Sequence, residues 1–373
     1  KSLKIQSRIK NIKGGSMVTK NESTLHDYIE AGSSLEPIDK AFTKDGVTIY
    51  HADVMDLYEG WEPPVVIISD GPYGVSGFPG DTPTAEELPE WYTSHIMAWS
   101  KKASPQTTLW FWNTELGWAN VHPVLVKHGW RYVNCHIWDK GICHIAGNAN
   151  TKTLRKFPVV TEVCVQYVME PRFKVKDNYL TMKDWLRHEW ERTGLPFSKT
   201  NDACDVKNAA TRKYFTKDHL WYYPPVDAFE RLVNYANRYG DPKGIPYFSI
   251  NGERSLTSEE WGRMRTKFYC DLGVTNVWRE PPLNGDERLK IKGKSLHLNQ
   301  KPLKFTELII KASSDKDDLI WEPFGGLCTA AIAAHKLSRR CVSAEIQRKI
   351  YELAVNRLRC ANRSYTPGTQ ITF

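Results

Sequence analysis

The sequence predicts an α/β fold on a mostly parallel sheet, interrupted by one long insertion. Three observations carry this. Pro64–Ser69 and Thr107–Trp112 are continuous apolar runs rather than alternating ones, the pattern of strands buried on both faces. Strand-like and helix-like segments take turns toward both ends of the chain. Between them, residues 171–296 are basic, polar and rich in Tyr, Trp, Asn and Pro, and the alternation returns only afterwards.

Taken in order, residues 1–16 end in Gly14-Gly15-Ser16 before Met17, which reads as a tag and linker or as a basic arm. Val47–Tyr50 is a short β-branched strand. Pro64–Ser69 stops at Asp70-Gly71-Pro72, a strand running into a turn. Residues 85–103 place Leu88, Trp91, Ile96 and Trp99 at helical spacing. Thr107–Trp112 is a strand, 118–128 a helix ending at Gly129, and Tyr132–Trp138 and Val159–Val168 are strands. After the insertion come a helix over Leu303–Ser313, a strand over Asp318–Trp321, a helix over Thr329–Leu337, a strand over Arg340–Ala344 and a helix over Arg348–Arg359. The sheet is thus expected to draw strands from both ends of the chain.

Composition narrows the class. Charged residues are 25% and apolar residues 41%, as in soluble domains, and no apolar run reaches membrane-spanning length. The eight cysteines form no C-x-x-C pair, so zinc and disulfide frameworks are not expected, and a cytoplasmic location in a prokaryote or phage fits best. Cys143, His136 and His144 match no common metal spacing, and no metal is expected. Net charge is +8, with six Lys/Arg and no acid in residues 1–20 and about +6 in residues 171–296, leaving the remainder near −4. A basic segment beside an acidic core suits a phosphate-binding module on an enzyme.

Two loops carry chemistry. Ser69-Asp70-Gly71-Pro72-Tyr73-Gly74 closes a buried strand, where α/β enzymes place their sites. Asp70 offers a side-chain acceptor, and the carbonyl of Gly71 or Pro72 a second. Pro72 stiffens the turn, and Tyr73 offers a stacking face for a flipped-out base. Two acceptors around an exocyclic amine draw it toward tetrahedral geometry and aim its lone pair. The second loop is Leu319-Ile320-Trp321-Glu322-Pro323-Phe324-Gly325-Gly326-Leu327-Cys328-Thr329-Ala330-Ala331: strand, small-residue turn, helix. Glu345, 23 residues after Glu322, closes the next strand, where doubly wound folds set a carboxylate on a ribose diol.

The first loop resembles the (D/N/S)-P-P-(Y/F) motif of amino-methyltransferases, with Gly71 at the usual first proline. The second resembles their (D/E)-P-F-x-G-x-G-T motif for S-adenosylmethionine (AdoMet). Glu322, Pro323, Phe324, Gly326 and Thr329 match, and Cys328 stands at the second glycine. His297-Leu298-Asn299-Gln300-Lys301-Pro302 resembles their N-Q-K-P segment, which leads into the first helix of the AdoMet half and contacts the methionine end, and in which Lys301 would pair with a carboxylate. His51-Ala52-Asp53-Val54-Met55-Asp56-Leu57 resembles the acidic motif at the adenine, with Asp53 the better match and Asp56 the fallback. The catalytic motif precedes the cofactor motif, which resembles the permuted β class of N6-adenine/N4-cytosine DNA amino-methyltransferases.

The resemblance implies a Rossmann-like, circularly permuted fold with a seven-stranded type of sheet. It divides the chain into a catalytic half (17–170), a target-recognition insertion (171–296) and an AdoMet half (297–373). AdoMet would be the cofactor and S-adenosylhomocysteine the product. Catalytic residues would be Asp70, Gly71, Pro72 and Tyr73. Cofactor contacts would be Asp53, Lys301, Glu322, Pro323, Phe324, Gly325, Gly326, Thr329 and Glu345. Adenine is favoured over cytosine because the Ser form of the loop is commoner among the cytosine enzymes. An RNA or protein methyltransferase on this fold, or a DNA-binding protein with a degenerate cofactor site, are the rival classes.

Within the insertion, Leu195–Phe215 reads either as a helix-turn-helix or as an ordinary helical hairpin. Ser198 would cap the first helix, Asp205-Val206 make the turn, and Lys207–Phe215 form a second helix showing Asn208, Thr211 and Arg212 to the major groove. Lys207, Lys213, Lys217, Arg263, Arg265, Lys267, Lys290, Lys292 and Lys294 are candidate phosphate contacts. Trp221–Pro225 reads as a core corner in preference to a base-stacking surface. Asn148-Ala149-Asn150, beside Gly147, reads as a loop closing over substrate. The expected partners are double-stranded DNA and, in a restriction-modification pair, a cognate endonuclease; monomer and homodimer both stay open.

Overall fold

A computed structural model describes residues 40–75, 81, 84–142, 154–242, 244–283, 290–291, 294–295 and 300–361. The tag-like residues 1–16, Cys143 with His144, the 147–150 loop, Lys292 and His297 to Asn299 lie outside the described residues.

The strands are β1 (Ala41–Lys44), β2 (Val47–His51), β3 (Val66–Ser69), β4 (Thr108–Asn113), β5 (Trp130–Asp139), β6 (Thr161–Met169), β7 (Phe173–Val175), β8 (Asn178–Leu180), β9 (Val277–Arg279), β10 (Lys290–Ile291), β11 (Lys294–Ser295), β12 (Leu319–Glu322) and β13 (Arg340–Glu345). Nine of them form one sheet in the order β1-β2-β13-β12-β3-β4-β6-β5-β9. The run from β2 to β4 is parallel. Beyond it, β6 is antiparallel to both β4 and β5.

The continuous apolar runs are explained by burial on both faces. Val66, Ile68, Trp110 and Trp112 face one core, while Ile67, Leu109 and Phe111 face the other. Successive side chains of a strand point to opposite faces, so both sets must be apolar. The first core is covered by α8 (Leu303–Ser313), α9 (Thr329–Lys336) and α10 (Arg348–Cys360); the second is covered by α1 (Leu88–Lys102) and α2 (Glu115–Lys127). Pro89 starts α1, and Thr114 caps α2 by accepting from the Gly117 N–H, so α2 begins three residues before the apolar spacing suggested.

The insertion has its own core. Trp185, Trp190, Phe229, Phe248 and Trp261 pack among α3 (Met182–Arg192), α4 (Lys199–Cys204), α5 (Ala209–Tyr214), α6 (Val226–Tyr239) and α7 (Ser258–Gly262). The strands from β2 to β5 in this order make the expected seven-stranded type of sheet, which the unforeseen edge strands β1 and β9 extend to nine. One expectation is corrected: the insertion does not stay separate to residue 296, because β9 returns to pair in parallel with β5, matching Ile137 to Val277. Only three residues long and flanked by polar ones, β9 leaves no periodic signal.

Candidate active site

Strands β2, β13, β12 and β3 are parallel neighbours, so their carboxyl ends share one edge of the sheet. The helices that follow β12 and β3 go to opposite faces, which opens a crevice between these two strands. A cleft of ≈ 700 Å³ lies there, within the range of small-ligand sites. It gathers segments up to about 290 residues apart in the chain. Asp53 lines it after β2, and Asp70, Gly71 and Pro72 after β3. Glu322 through Gly326 and Thr329 line it around the β12 turn, Glu345 at the end of β13, and Lys301 just before α8. Asp53 also caps the following turn by accepting from the Met55 N–H at 2.9 Å. Asp56, the fallback, does not reach the cleft.

The catalytic loop is held from three sides. The Pro72 carbonyl accepts from the Tyr92 hydroxyl at 3.1 Å and from Asn113 Nδ2 at 3.0 Å. Asp81 Oδ1 accepts from the N–H groups of Tyr73 and Gly74, at 2.8 and 2.7 Å. Asp70 Oδ1 accepts from the Tyr73 hydroxyl at 2.8 Å and from Lys301 Nζ at 2.9 Å. Asp70 Oδ2 and the Gly71 carbonyl have no partner among the described residues. Of the two backbone acceptors expected, Pro72 is therefore spent on the scaffold and Gly71 remains. Tyr73 corrects the stacking expectation: it is buried, its ring lies under the Lys301 ammonium at 5.0 Å, and it does not line the cleft. Burial, the Asp70 and Glu162 carboxylates and the bond to Asp70 all push its pKa up, which keeps it a donor.

Gly71 has no room for a side chain. A Cβ there would lie 2.6 Å from the Tyr92 hydroxyl and 2.7 Å from the Phe324 ring. Phe324, from the other loop, fills the space a proline would occupy. It also packs on His95 at 5.0 Å and Trp91 at 5.3 Å. Those two side chains stack at 4.5 Å and line the cleft. Burial pushes the His95 pKa down to about 4, leaving the ring neutral beside the Tyr58 hydroxyl. The sequence marked Trp91 only for its helical spacing and His95 not at all, although their i, i+4 spacing on α1 was a usable signal for a shared face.

In the cofactor-type loop both acids brace backbone. Glu322 accepts from the Ala330 and Ala331 N–H groups at 2.7 and 3.0 Å, at the N-terminus of α9. Burial outweighs these bonds and raises its pKa to about 7. Glu345 accepts from Gly326 N–H at 2.8 Å and Gln347 N–H at 2.7 Å; burial raises its pKa too. Gly325 has no space for a Cβ, with Ser343 Oγ at 2.7 Å and the Ala344 carbonyl at 3.0 Å. Cys328 adopts a left-handed conformation that favours glycine, φ 52° and ψ 50°. Its buried thiol turns to Ser343 Oγ at 3.3 Å and stays out of the cleft. Arg357 braces the turn from behind through the Leu327 carbonyl and Thr329 Oγ1.

Lys301 finds carboxylate partners within the protein itself. It is 4% exposed and pairs with protein carboxylates, Asp70 at 2.9 Å and Glu162 at 3.4 Å. Burial disfavours its ammonium, but Asp70 and Glu162 outweigh burial and hold its pKa above the ordinary lysine value. No sequence motif marked Glu162.

In the insertion, α4 and α5 are joined through Asp205 in the left-handed region, φ 54°. Three details correct the helix-turn-helix reading. Ser198 makes no capping bond. The second helix starts at Ala209, not Lys207. Thr211 turns inward, its hydroxyl 2.8 Å from Thr200 Oγ1 and 2.9 Å from the Phe197 carbonyl. Lys207, Asn208, Arg212 and Lys213 remain exposed. Lys267, a candidate phosphate contact, is spent on Asp315 and Asp318 at 2.7 and 2.6 Å. Arg265 lies over the Tyr223 ring at 4.9 Å, and Tyr223 stacks on Trp261 at 4.5 Å, so Tyr223 packs on the insertion's core while Tyr222 is exposed.

Comparison with known proteins adds the following. The family described as DNA methylase, of N6 and N4 methyltransferases, matches residues 65–356. Type II methyltransferase M.HindIII of Haemophilus influenzae is 35% identical over 191 residues, 50% of this chain and 55% of that protein. Type II methyltransferase M.ScaI of Streptomyces caespitosus is 32% identical over 160 residues, 40% of this chain and 52% of that protein. The chain spans about half the length of the curated relatives it matches. Among solved structures, PvuII DNA methyltransferase (cytosine-N4-specific) aligns over 87% of this chain and 89% of its own at 13% identity, TM-score 0.48. The M1.HpyAVI–SAM complex aligns over 83% and 98% at 16% identity, TM-score 0.42.

Proposed function

The chain belongs to the DNA methylase family of N6 and N4 methyltransferases, and on that premise we propose that it transfers a methyl group from AdoMet to the exocyclic amine of a base in duplex DNA, adenine N6 by preference. One observation carries the reading. Asp70 and Gly71, whose Oδ2 and carbonyl have no partner among the described residues, line the same cleft as Asp53, Phe324, Gly326 and Glu345.

The cleft suits AdoMet in size and in donor set. Trp91, His95 and Phe324 give an aromatic wall, and the Gly325-Gly326 turn admits a ligand close to backbone. Glu345 keeps lone pairs for a ribose diol beyond the two N–H bonds it accepts, and Asp53 faces the adenine end. When bound, AdoMet supplies the activated methyl group. Asp70 Oδ2 and the Gly71 carbonyl take the two amine hydrogens, which directs the nitrogen lone pair out of the base plane. Asp70 Oδ2 then receives the proton the methylated nitrogen must lose. Tyr73 and Lys301 keep the other oxygen in place, so the geometry needs no reorganisation as charge develops.

Adenine is favoured through Asp70, since the Ser form of this loop goes with cytosine enzymes. Lys207, Asn208, Arg212 and Lys213 supply phosphate and base contacts from the insertion. In a restriction-modification pair the partner would be a cognate endonuclease.

The test is methyl transfer from tritiated AdoMet to mixed duplex DNA, followed by nucleoside digestion. Wild-type protein is expected to label N6-methyladenine and Asp70→Ala to give no label. No transfer by wild type, or full transfer by Asp70→Ala, overturns the activity, and labelled N4-methylcytosine overturns the base. In the same assay, Arg212→Ala with Lys213→Ala should weaken DNA binding and lower the salt slope by about 2. An unchanged slope would remove these residues from the interface.

A further inference from the structure

Behind the catalytic loop, two side chains outside every recognised motif complete a cluster of buried charge. Lys140 follows β5 and Glu162 lies at the start of β6, and the antiparallel register Trp138 to Glu162 brings them together. Glu162 Oε1 pairs with Lys140 Nζ. Its other oxygen, Oε2, lies 3.4 Å from both Lys301 Nζ and the Tyr73 hydroxyl. Glu162 does not line the cleft, so it acts on no ligand there.

We propose that Glu162 is a positioning residue for the methyl transfer inferred above, and so rests on that reading: it shares the Lys301 ammonium and the Tyr73 hydroxyl with Asp70, which leaves Asp70 Oδ2 directed at the amine. The charges argue for this. Two carboxylates and two ammonium groups, all largely withdrawn from water, sum to zero, which is what makes such burial tolerable. Burial works against the Glu162 carboxylate, but Lys301 and Lys140 outweigh it and hold its pKa below the ordinary value. With Glu162 neutral, Lys301 would lose one of the two carboxylates it meets in the cluster and pull harder on Asp70. A stronger pull draws the carboxylate round toward the ammonium and away from the cleft, and small displacements of an acceptor are costly to a positioned reaction.

The experiment measures single-turnover methyl transfer at saturating AdoMet and DNA, with AdoMet affinity by equilibrium dialysis on the same preparations. Glu162→Gln is expected to slow transfer about tenfold or more while AdoMet affinity stays within about twofold. Glu162→Asp keeps the charge and should recover part of the rate. Wild-type rate in the Gln variant overturns the proposal. So does an AdoMet affinity that falls in step with the rate, with Asp no better than Gln. If Glu162→Gln does not fold, Lys140→Met decides: a slower rate at unchanged AdoMet affinity supports the role, and an unchanged rate overturns it. Absence of transfer by wild type would instead strike the parent reading.

Discussion

The two loops that meet in the cleft each depart from the family pattern at one residue, and they absorb the departure in opposite ways. In the catalytic loop Gly71 replaces a proline, and the missing side chain is replaced by a neighbour: Phe324 and Tyr92 occupy the space. In the cofactor-type loop Cys328 stands at a glycine position, and the side chain is accommodated in a left-handed backbone. The residue takes φ 52° and tucks its thiol against Ser343. The first departure is a matter of packing between two loops, the second of strain within one. The difference teaches that Gly71 and Phe324 form one unit across the two halves of the site, whereas Cys328 is a local adjustment.

The comparison breaks most visibly at Gly71. Gly71→Pro restores the residue usual in the family and is expected to do harm. Its ring atoms would overlap Tyr92 and Phe324, and overpacking of this kind costs about 1–3 kcal/mol. Displacing Phe324 also disturbs the cleft, so methyl transfer should fall about 100-fold. Gly71→Ala should show a milder form of the same loss, and adding Phe324→Ala to it should restore thermal stability but not AdoMet binding. A fully active Gly71→Pro protein would show that the two loops are not coupled.

Glu322 gives a test of intermediate size on the cofactor side. Its folded pKa, about 7, lies above the ordinary 4.5 because of burial. The folded state therefore holds this proton more tightly than the unfolded state. The associated stability is present in full below about pH 4.5 and is lost as pH rises through about 7, a span of up to about 3 kcal/mol. Thermal melts of ligand-free protein at pH 5.5 and pH 8 should differ more for wild type than for Glu322→Gln. Any constant loss from the glutamine amide cancels in that difference. Equal pH slopes would mean that Glu322 is ionised in the fold across the range.

How much of this was legible in the sequence varies for physical reasons. The apolar runs at 64–69 and 107–112 marked β3 and β4 because burial on both faces leaves a local signature. The motifs named Asp70, Glu322 and Glu345, all three of which line the cleft, because tight turns at strand ends restrict residue type. What stayed hidden was direction. The side chain of Tyr73 was expected in the cleft, but Asp70 and Lys301 draw it inward. Thr211 was expected on the groove face, yet Thr200 and the Phe197 carbonyl claim its hydroxyl. Glu162 had no motif at all, because its role depends on Lys301, 139 positions away in the chain. Such partners are set by sheet order, a long-range property that local patterns do not encode.

The smallest effect sharpens the comparison furthest, since it separates strain from packing at Cys328. A non-glycine residue in the left-handed region costs about 1–2 kcal/mol. Cys328→Gly relieves that cost but forfeits the buried Cβ and thiol, so its net change in stability should lie within about 1 kcal/mol of zero. Cys328→Ala forfeits the thiol and keeps the strain. Thermal melts should therefore rank the Gly variant at or above the Ala variant. AdoMet affinity should be unchanged in both, because the thiol points away from the cleft. The reverse ranking would mean that the contact with Ser343, not the backbone, governs this position, and the two loops would then differ less than their geometry implies.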